Sequence, residues 1–188
     1  MQADRALAAL RAHPGEESGS DALARAARGG DLDAFEGLVK RYQRRVYALA
    51  YQHLHDPDEA QDLAQEVFVR LYRNLDRYDP ERPFEPWFWR LAANVAATYR
   101  RHRPASALEL PDVAAAPVGS RDEALPLARA LADLSDELRL PVLLHYYLDL
   151  PLEEVAAITQ APLGTVKSRV HRAVARLRPQ IEAQEVLS

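Results

Sequence analysis

The sequence predicts an all-α protein made of two small helical domains joined by a flexible linker, with a helix-turn-helix in the second domain. Apolar residues recur every three or four positions along most of the 188 residues, and no segment alternates with the period of a strand. Residues 104–121 carry three prolines among small residues without a sustained period, which is typical of a linker. The predicted organisation is an N-terminal extension (1–20), a first domain (21–103), the linker (104–121) and a second domain (122–188).

The first domain is predicted to begin with a short helix over residues 21–28, which Gly29-Gly30 ends. Asp31 can cap the second helix. The apolar stripe of that helix comprises Phe35, Leu38, Val39, Tyr42, Val46, Leu49, Ala50 and Leu54. Asp56-Pro57 followed by Glu59 has the pattern of a capping box with proline at the first helical position, so a third helix should begin there.

The third helix, from Pro57 to about Tyr78, has one apolar face and one exposed face. The apolar face consists of Ala60, Leu63, Ala64, Val67, Phe68, Leu71 and Leu75. The opposite face carries Asp62, Glu66, Val69 and Arg73, with Gln65 beside them. A valine among exposed charges indicates a surface for a partner, and an ordinary solvated face is an equally good interpretation.

Prolines and charges in Asp79–Phe84 predict a loop, and a fourth helix follows from about Glu85 to Arg103. The residues facing the core are Phe84, Phe88, Leu91, Val95 and Tyr99. The flank carries Trp87, Arg90, Asn94 and Arg101, while Trp89 and Arg100 point nearly away from the core. Tryptophans beside cations are typical of surfaces that stack unpaired bases and follow phosphates. The alternative is that both tryptophans pack in the core, which the helical projection disfavours for Trp89.

The second domain is predicted to start with a helix over residues 122–134, after which Ser135 can cap another helix and Pro141 should kink it or mark its start. The short helix Leu152–Thr159, the turn Gln160-Ala161-Pro162 and the basic run to Arg178 then predict a helix-turn-helix. One face of the basic helix is apolar and consists of Val166, Val170, Ala173, Val174 and Leu177. The other side carries Ser168, Arg172 and Ala175, flanked by Thr165, Arg169 and Arg176 and by Lys167, His171 and Arg178. No acidic residue occurs in this run, so its outer side suits a polyanion.

The overall composition restricts the other function classes. The formal net charge is −4, so general binding of nucleic acid by the whole molecule is not expected. The absence of cysteine excludes disulfides and thiolate zinc sites in this chain. No stretch reaches membrane-spanning length and the N-terminus lacks an apolar signal core, so we expect a cytoplasmic protein without a membrane partner. A metal-dependent enzyme is an alternative that rests on His53, His55, Asp56, Asp58, Glu59 and Asp62, although capping already explains Asp56 and Glu59.

Taken together, these segments resemble the extracytoplasmic-function (ECF) sigma factors of bacterial RNA polymerase, which belong to the sigma-70 family. In the first domain the resemblance rests on DAFEGLVKRYQRRVYALA, on DPDEAQDLAQEVFVRLYRNLDRYDP, and on the pattern of Trp87, Arg90, Ala92 and Asn94. In the second domain it rests on LPVLLHYYLDLPLEEVAAI and on PLGTVKSRVHRAVARLR. The order and spacing of these motifs make the resemblance specific, and it covers nearly all of residues 21–178 outside the linker.

The resemblance implies an alternative sigma factor that binds core RNA polymerase and directs it to specific promoters. The first domain would dock on the polymerase clamp and melt the −10 element, and the second would read the −35 element. The implied polymerase-binding residues are Asp62, Gln65, Glu66 and Val69. The implied −10 residues are Asp79, Glu81, Arg82, Phe84, Trp87, Arg90, Asn94, Arg100 and Arg101. The implied −35 residues are Thr165, Lys167, Ser168, Arg169, His171, Arg172 and Arg176.

The resemblance also implies no cofactor, no metal and no catalytic group, because the polymerase performs the chemistry. The expected partners are core RNA polymerase, double-stranded and locally melted promoter DNA, and an anti-sigma factor, and the free protein should be a monomer. Gln160 stands where the turn of the family usually has glycine, so we expect a positive φ there and a strain of about 1 kcal/mol. A helix-turn-helix repressor or activator is the alternative, which would leave the Asp62 and Glu66 face unexplained.

Overall fold

The computed structural model describes residues 17–101 and 130–185, with side-chain positions for 19–99 and 130–179. All regular elements in the described ranges are helical, which confirms the predicted fold class. The predicted linker, most of the predicted helix 122–134 and nearly all of the N-terminal extension lie outside those ranges.

Four α-helices build the first unit of the structure, which comprises residues 17–101. They are α1 (Glu17–Arg28), α2 (Leu32–Leu54), α3 (Pro57–Asn74) and α4 (Phe84–Arg101), and a 3₁₀ turn (Leu75–Arg77) follows α3. The predicted N-terminal caps are confirmed for α2 and α3. Asp31 Oδ1 accepts a hydrogen bond from the amide of Ala34 at 3.0 Å, and Asp56 Oδ1 accepts one from the amide of Glu59 at 2.8 Å. Each cap satisfies an amide that the helix itself leaves unpaired.

Tyr42 of α2 lies at the centre of the core of the first unit. Its ring centroid is 5.9 Å from that of Phe84, 4.7 Å from that of Phe88 and 5.8 Å from that of Trp89. Its hydroxyl donates a hydrogen bond to Ser20 Oγ at 2.8 Å, and burial raises the pKa of this phenol. An aromatic cluster with a satisfied polar tip therefore joins α1, α2 and α4.

The outward orientation predicted for Trp89 is wrong. Trp89 is buried, its indole N–H donates a weak hydrogen bond to Glu85 at 3.3 Å, and the guanidinium of Arg45 lies 4.7 Å from its ring centroid. It also borders a cavity of about 490 Å³ whose other residues include Tyr147 and Glu154 of the second unit. The projection failed because α4 has helical neighbours on more than one side.

The second unit comprises residues 130–185 and contains the predicted helix-turn-helix. Its elements are α5 (Asp136–Val142), a π-helical turn (Leu143–Tyr147), α6 (Leu152–Thr159) and α7 (Leu163–Glu185). The chain passes through Pro141 as an α-helix and widens immediately afterwards, where the amide of Leu148 donates to the carbonyl of Leu143 at 3.2 Å. Pro141 therefore lies inside α5 and does not mark its start, and the wider turn begins two residues later.

The two units contact each other directly along a surface that we call the seam. Arg139 of α5 is buried and donates from Nη1 to the carbonyl of His53, in the last turn of α2, at 2.9 Å. The hydroxyl of Tyr147 donates to the carbonyl of Arg45 at 3.2 Å, and burial raises the pKa of Tyr147. The predicted linker gave no indication that the domains would pack against each other.

Candidate polymerase and promoter interface

Helix α7 separates its apolar and basic residues as the sequence predicts. Val166, Val170, Ala173 and Leu177 are buried, and α7 packs through them against α5 and α6. The exposed predicted reading residues are Lys167, Ser168, His171, Arg172 and Arg176. Ser168 Oγ donates to the carbonyl of Thr165 at 2.9 Å, and Arg172 Nε lies 3.4 Å from the carbonyl of Ser168. The middle of α7 therefore presents hydroxyl, imidazole and guanidinium groups to the solvent.

Two predicted reading residues are less accessible than the others. Thr165 is half-buried in the first turn of α7. Arg169 keeps 21% of its side chain exposed and pairs with Glu137 of α5, with Nη2 and Oε2 3.3 Å apart. This pair joins α7 to the helix beneath it, so Arg169 is placed to support the orientation of α7 more than to project from it.

The turn between α6 and α7 has the backbone conformation that the family resemblance implies. Gln160 has φ 54° and ψ 39°, in the left-handed region, and its amide donates to the carbonyls of Ala156 and Ala157. The amide of Ala161 donates to the carbonyl of Ala156 at 3.1 Å. The turn thus satisfies the end of α6 and redirects the chain into α7, at the cost of strain in a residue with a side chain.

A groove of about 720 Å³ lies between α3 and α4, and we call it the α3–α4 groove. Its lining residues are Asp62, Glu66, Arg70, Asn74, Arg77, Trp87, Arg90, Leu91, Asn94, Val95, Thr98 and Tyr99. The structure thereby brings the acids of the predicted docking face together with three of the predicted −10 residues, Trp87, Arg90 and Asn94, which the sequence analysis kept apart. Gln65 is exposed and Val69 half-buried on α3.

Sequence reasoning missed Arg70 and Arg77 as members of this groove. Arg70 pairs with Glu66, with Nε and Oε1 2.7 Å apart, and Arg77 is exposed in the 3₁₀ turn. Arg70 lies four residues after Glu66 and Arg77 four residues after Arg73, a spacing that could have indicated a second cationic edge. The groove therefore has acids towards the start of α3 and arginines towards its end.

The loop before α4 is held by its own side chains. Asp79 Oδ1 accepts a hydrogen bond from the amide of Glu81 at 3.1 Å, and the hydroxyl of Tyr78 donates to the carbonyl of Arg82 at 2.7 Å. The side chains of Asp79, Glu81 and Arg82 are exposed. Phe84 is fully buried, and its amide donates to Asp21 Oδ1 at 2.8 Å. Phe84 therefore anchors the loop to α1, and its ring is not part of the exposed surface.

Arg90 is engaged by the second unit across the seam. Its Nε and Nη2 donate to the two carboxylate oxygens of Glu154 in α6, both at 2.6 Å. This bonding raises the pKa of Arg90 above its ordinary value. Asn94, one turn later, donates from Nδ2 to the carbonyl of Arg90 at 2.8 Å, and Trp87 packs against Tyr78 with centroids 5.4 Å apart. The side chains of Arg100 and Arg101 lie outside the described residues.

The metal alternative finds no geometric support in the described ranges. Within them, no group of three or more histidine or acidic side chains is arranged to hold an ion. Asp56 is used as a cap, and His53 and His55 are buried at the end of α2. In 17–101 and 130–185, no helix combines the length and apolarity needed to cross a membrane.

Comparison with known proteins identifies both units. The family profile of sigma-70 region 2 matches residues 38–104, and that of sigma-70 region 4 matches residues 124–177. The ECF RNA polymerase sigma factor SigW of Bacillus subtilis is 33% identical, over 81% of this chain and 91% of its own length.

Two solved structures extend the comparison. CnrH, solved in complex with the cytosolic domain of CnrY, superposes with a TM-score of 0.59 at 27% identity, covering 88% of this chain and 98% of that one. The sigma factor RpoE, solved with the anti-sigma factor NepR from Bartonella quintana, superposes with a TM-score of 0.61 at 24% identity. The latter match covers 79% of this chain and 96% of RpoE, and at this identity it supports the fold alone.

Proposed function

Because this chain belongs to the ECF group of sigma-70 factors and is an alternative sigma factor, we propose a division of work among the surfaces described above. The first unit binds core RNA polymerase and melts the −10 element. The second unit reads the −35 element. The observation that carries this proposal is that one chain has both the exposed basic side of α7 and the α3–α4 groove.

In the second unit, α7 enters the major groove of the −35 element. Arg176 and Lys167 are exposed cations suited to phosphates, which supply affinity without sequence information. Ser168, His171 and Arg172 are the residues proposed to reach base edges. A bidentate contact between an arginine and guanine discriminates by about 1–3 kcal/mol, so Arg172 is the strongest candidate for a specific contact.

In the first unit, Asp79, Glu81 and Arg82 are exposed in the loop that precedes α4, and Trp87, Arg90 and Asn94 of α4 line the α3–α4 groove. Aromatic and cationic groups side by side favour unpaired bases, since a ring stacks on a base while a guanidinium pairs with a phosphate. Unstacking a base costs a few kcal/mol, and capture of the exposed base offsets that cost. We assign Arg100 and Arg101 to the same surface on the sequence alone.

The docking face proposed for the polymerase consists of Asp62, Gln65, Glu66 and Val69 on α3. The two acids offer charge complementarity to a basic partner surface, which favours the rate and specificity of association. Val69 is half-buried and can add a small apolar contact. The partner proposed for this face is the polymerase clamp.

Members of the family are non-catalytic initiation factors, and we infer that in this case too the polymerase performs the chemistry. We also infer that this chain works in the cytoplasm. It is a monomer when free. An anti-sigma factor is the expected inhibitory partner, as the family resemblance implies. A repressor or activator is not favoured, because such a protein has no use for the docking face or the α3–α4 groove.

Run-off transcription with purified core polymerase and genomic DNA fragments tests this proposal. Mapping the 5′ ends should reveal transcripts that require the protein and that begin downstream of a shared two-block sequence. A matched reaction with the Arg172→Ala variant should lose these transcripts selectively. Specific binding to DNA without polymerase, combined with no transcript that depends on the protein, would instead support a repressor or activator.

A further inference from the structure

The seam closes through two charged contacts of different character. Arg139 is buried and donates to the carbonyls of Leu131, Ala132 and Leu134 in its own unit, at 2.8, 2.7 and 2.5 Å. The same guanidinium reaches across to the carbonyl of His53 at 2.9 Å. That carbonyl belongs to the last turn of α2, where the helix leaves its carbonyls unpaired and its dipole is negative. Arg139 therefore caps a helix of the other unit.

The second contact is the bidentate pair of Arg90 and Glu154, which lies nearer to the solvent. The side chains are 50% and 28% exposed. Glu154 stands in the first turn of α6, where the helix dipole favours a negative charge. Its two oxygens meet the planar guanidinium in the manner in which a phosphate group also pairs with arginine. A phosphate of DNA and Glu154 are thus chemical alternatives for one guanidinium.

The closed arrangement cannot bind both promoter elements at once. Elements centred at −35 and −10 are separated by about 85 Å along B-form DNA, at 3.4 Å per base pair. Here α6 of the helix-turn-helix touches α4 of the first unit, and each unit measures only about 30 Å across. The connection between residues 101 and 130 can span up to about 95 Å, which is enough for the two units to reach both elements once the seam opens. Binding of both elements is therefore compatible with an open seam and not with a closed one.

From these contacts we propose that the two units of the free chain stay packed along the seam, and that Glu154 pairs with Arg90 until a phosphate of promoter DNA takes the place of the Glu154 carboxylate. This inference rests on the proposed function, because it assigns Arg90 to the −10 contact. Closure makes the DNA-binding state a minor state of the free protein, which lowers its apparent affinity by the fraction that is open. Closure and DNA binding then exclude each other through a shared residue as well as through geometry.

The distance between the units in the free, full-length chain tests closure directly. The sequence has no cysteine, so Gln61→Cys and Ala175→Cys, both at exposed positions, accept a donor and an acceptor dye specifically. Single-molecule energy transfer should show a majority with high transfer. Glu154→Gln should raise the ratio of open to closed molecules about two- to fivefold, the range expected for an exposed ion pair. Glu153→Gln is the matched control, because it removes the same charge from the neighbouring exposed residue and should change nothing.

A charge exchange separates the pair from other effects. Glu154→Arg alone should open the seam further than Glu154→Gln, since it places two cations together. Adding Arg90→Glu should restore the high-transfer majority. A parental chain with mostly low transfer would overturn the closure. Equal transfer in the Glu154→Gln and Glu153→Gln variants, or no recovery in the exchanged variant, would overturn the role of the Arg90–Glu154 pair in it.

The competition with DNA is measured with unlabelled protein, core polymerase and a promoter fragment obtained from the run-off experiment. Glu154→Gln should lower the protein concentration needed for half-maximal transcription about two- to fivefold, and Glu153→Gln should leave it at the parental value. An opened seam with an unchanged half-maximal concentration would refute the competition. If the parental protein itself supports no transcription, the proposed function fails and the role of Arg90 with it, while the energy-transfer result still decides whether the chain closes.

Discussion

The double variant Asp62→Ala, Glu66→Ala tests whether α3 is the docking face for the polymerase. Both acids lie on the side of α3 that borders the α3–α4 groove, away from the buried residues Leu63, Val67 and Leu71. We expect the variant to lose promoter-directed transcription while keeping its fold. The expected weakening of core polymerase binding is at least tenfold, or about 1.4 kcal/mol, if the two acids include one energetically important contact.

The cost to stability follows from the contacts that the variant removes. Glu66 pairs with Arg70 four residues later, at 2.7 Å, with side chains 38% and 54% exposed. An exposed pair at this spacing contributes only about 0.3–0.5 kcal/mol. Asp62 is exposed and lies beyond the first turn of α3, where the helix dipole adds little, so its own solvent-exposed contacts contribute on the order of 0.5 kcal/mol. The total loss should stay below about 1 kcal/mol, which lowers the melting temperature by about 2–4 °C in a protein of this size.

The assay combines circular dichroism, a binding titration against core polymerase and the run-off reaction. Glu36→Ala is the matched control, because Glu36 forms the same kind of exposed pair with Lys40 on α2, at 2.6 Å. This control should show a similar small change in melting temperature with parental binding and transcription. The reasoning fails if the double variant is stable and still binds the polymerase with parental affinity. A loss of several kcal/mol would show instead that the acids stabilise the fold.

Three further predictions concern the reading surfaces and the turn. Arg172→Ala should weaken binding to the specific promoter by about 1–3 kcal/mol and relax the preference at one base position. Arg176→Ala should weaken binding to all sequences alike and lower the slope of log affinity against log salt concentration by about one. A salt titration of each variant on specific and on random DNA compares them. Gln160→Gly should raise the free energy of unfolding by about 0.5–1 kcal/mol, because glycine relieves the left-handed strain, while Gln160→Ala should bring no gain in a denaturant titration. Trp89→Ala should cost about 3–5 kcal/mol of stability as a core truncation, while Trp87→Ala should mainly reduce promoter opening, measured by permanganate reactivity of unpaired thymines.

Features set by neighbours in the sequence were mostly predicted correctly, although the side chain of Ser135 makes no capping hydrogen bond at the start of α5. The caps at Asp31 and Asp56 depend on residues three positions apart, so the pattern contains all the information that they need. The positive φ of Gln160 was expected from the family resemblance, because the turn of that family usually has glycine at this position. The buried face of α7 is a direct reading of its helical period.

Features set by contacts between distant segments were not predictable. The projection gave α4 a single buried face, whereas Trp89 packs on α2 outside that face and borders the cavity shared with the second unit. The burial of Arg139 depends on carbonyls from two units, and His53 is far from it in the sequence. The α3–α4 groove joins residues that two separate patterns had assigned to different partners. Periodicity identifies which side of a helix is apolar, but it does not identify how many neighbours that helix has.

The position of Arg90 links the polymerase docking, the −10 contact and the closure of the seam that are proposed for this chain. Its guanidinium borders the groove that also contains the docking acids Asp62 and Glu66, and in the closed chain it is held by Glu154. A polymerase docked on α3 therefore lies beside the residue that must leave Glu154 before DNA can bind. A partner shifts an equilibrium between two states only by its difference in affinity for them. If the polymerase binds the open chain more tightly than the closed chain, it reduces the competition from Glu154 at the place where the −10 strand must enter. Opening of the seam is then favoured on the polymerase and disfavoured in the free protein.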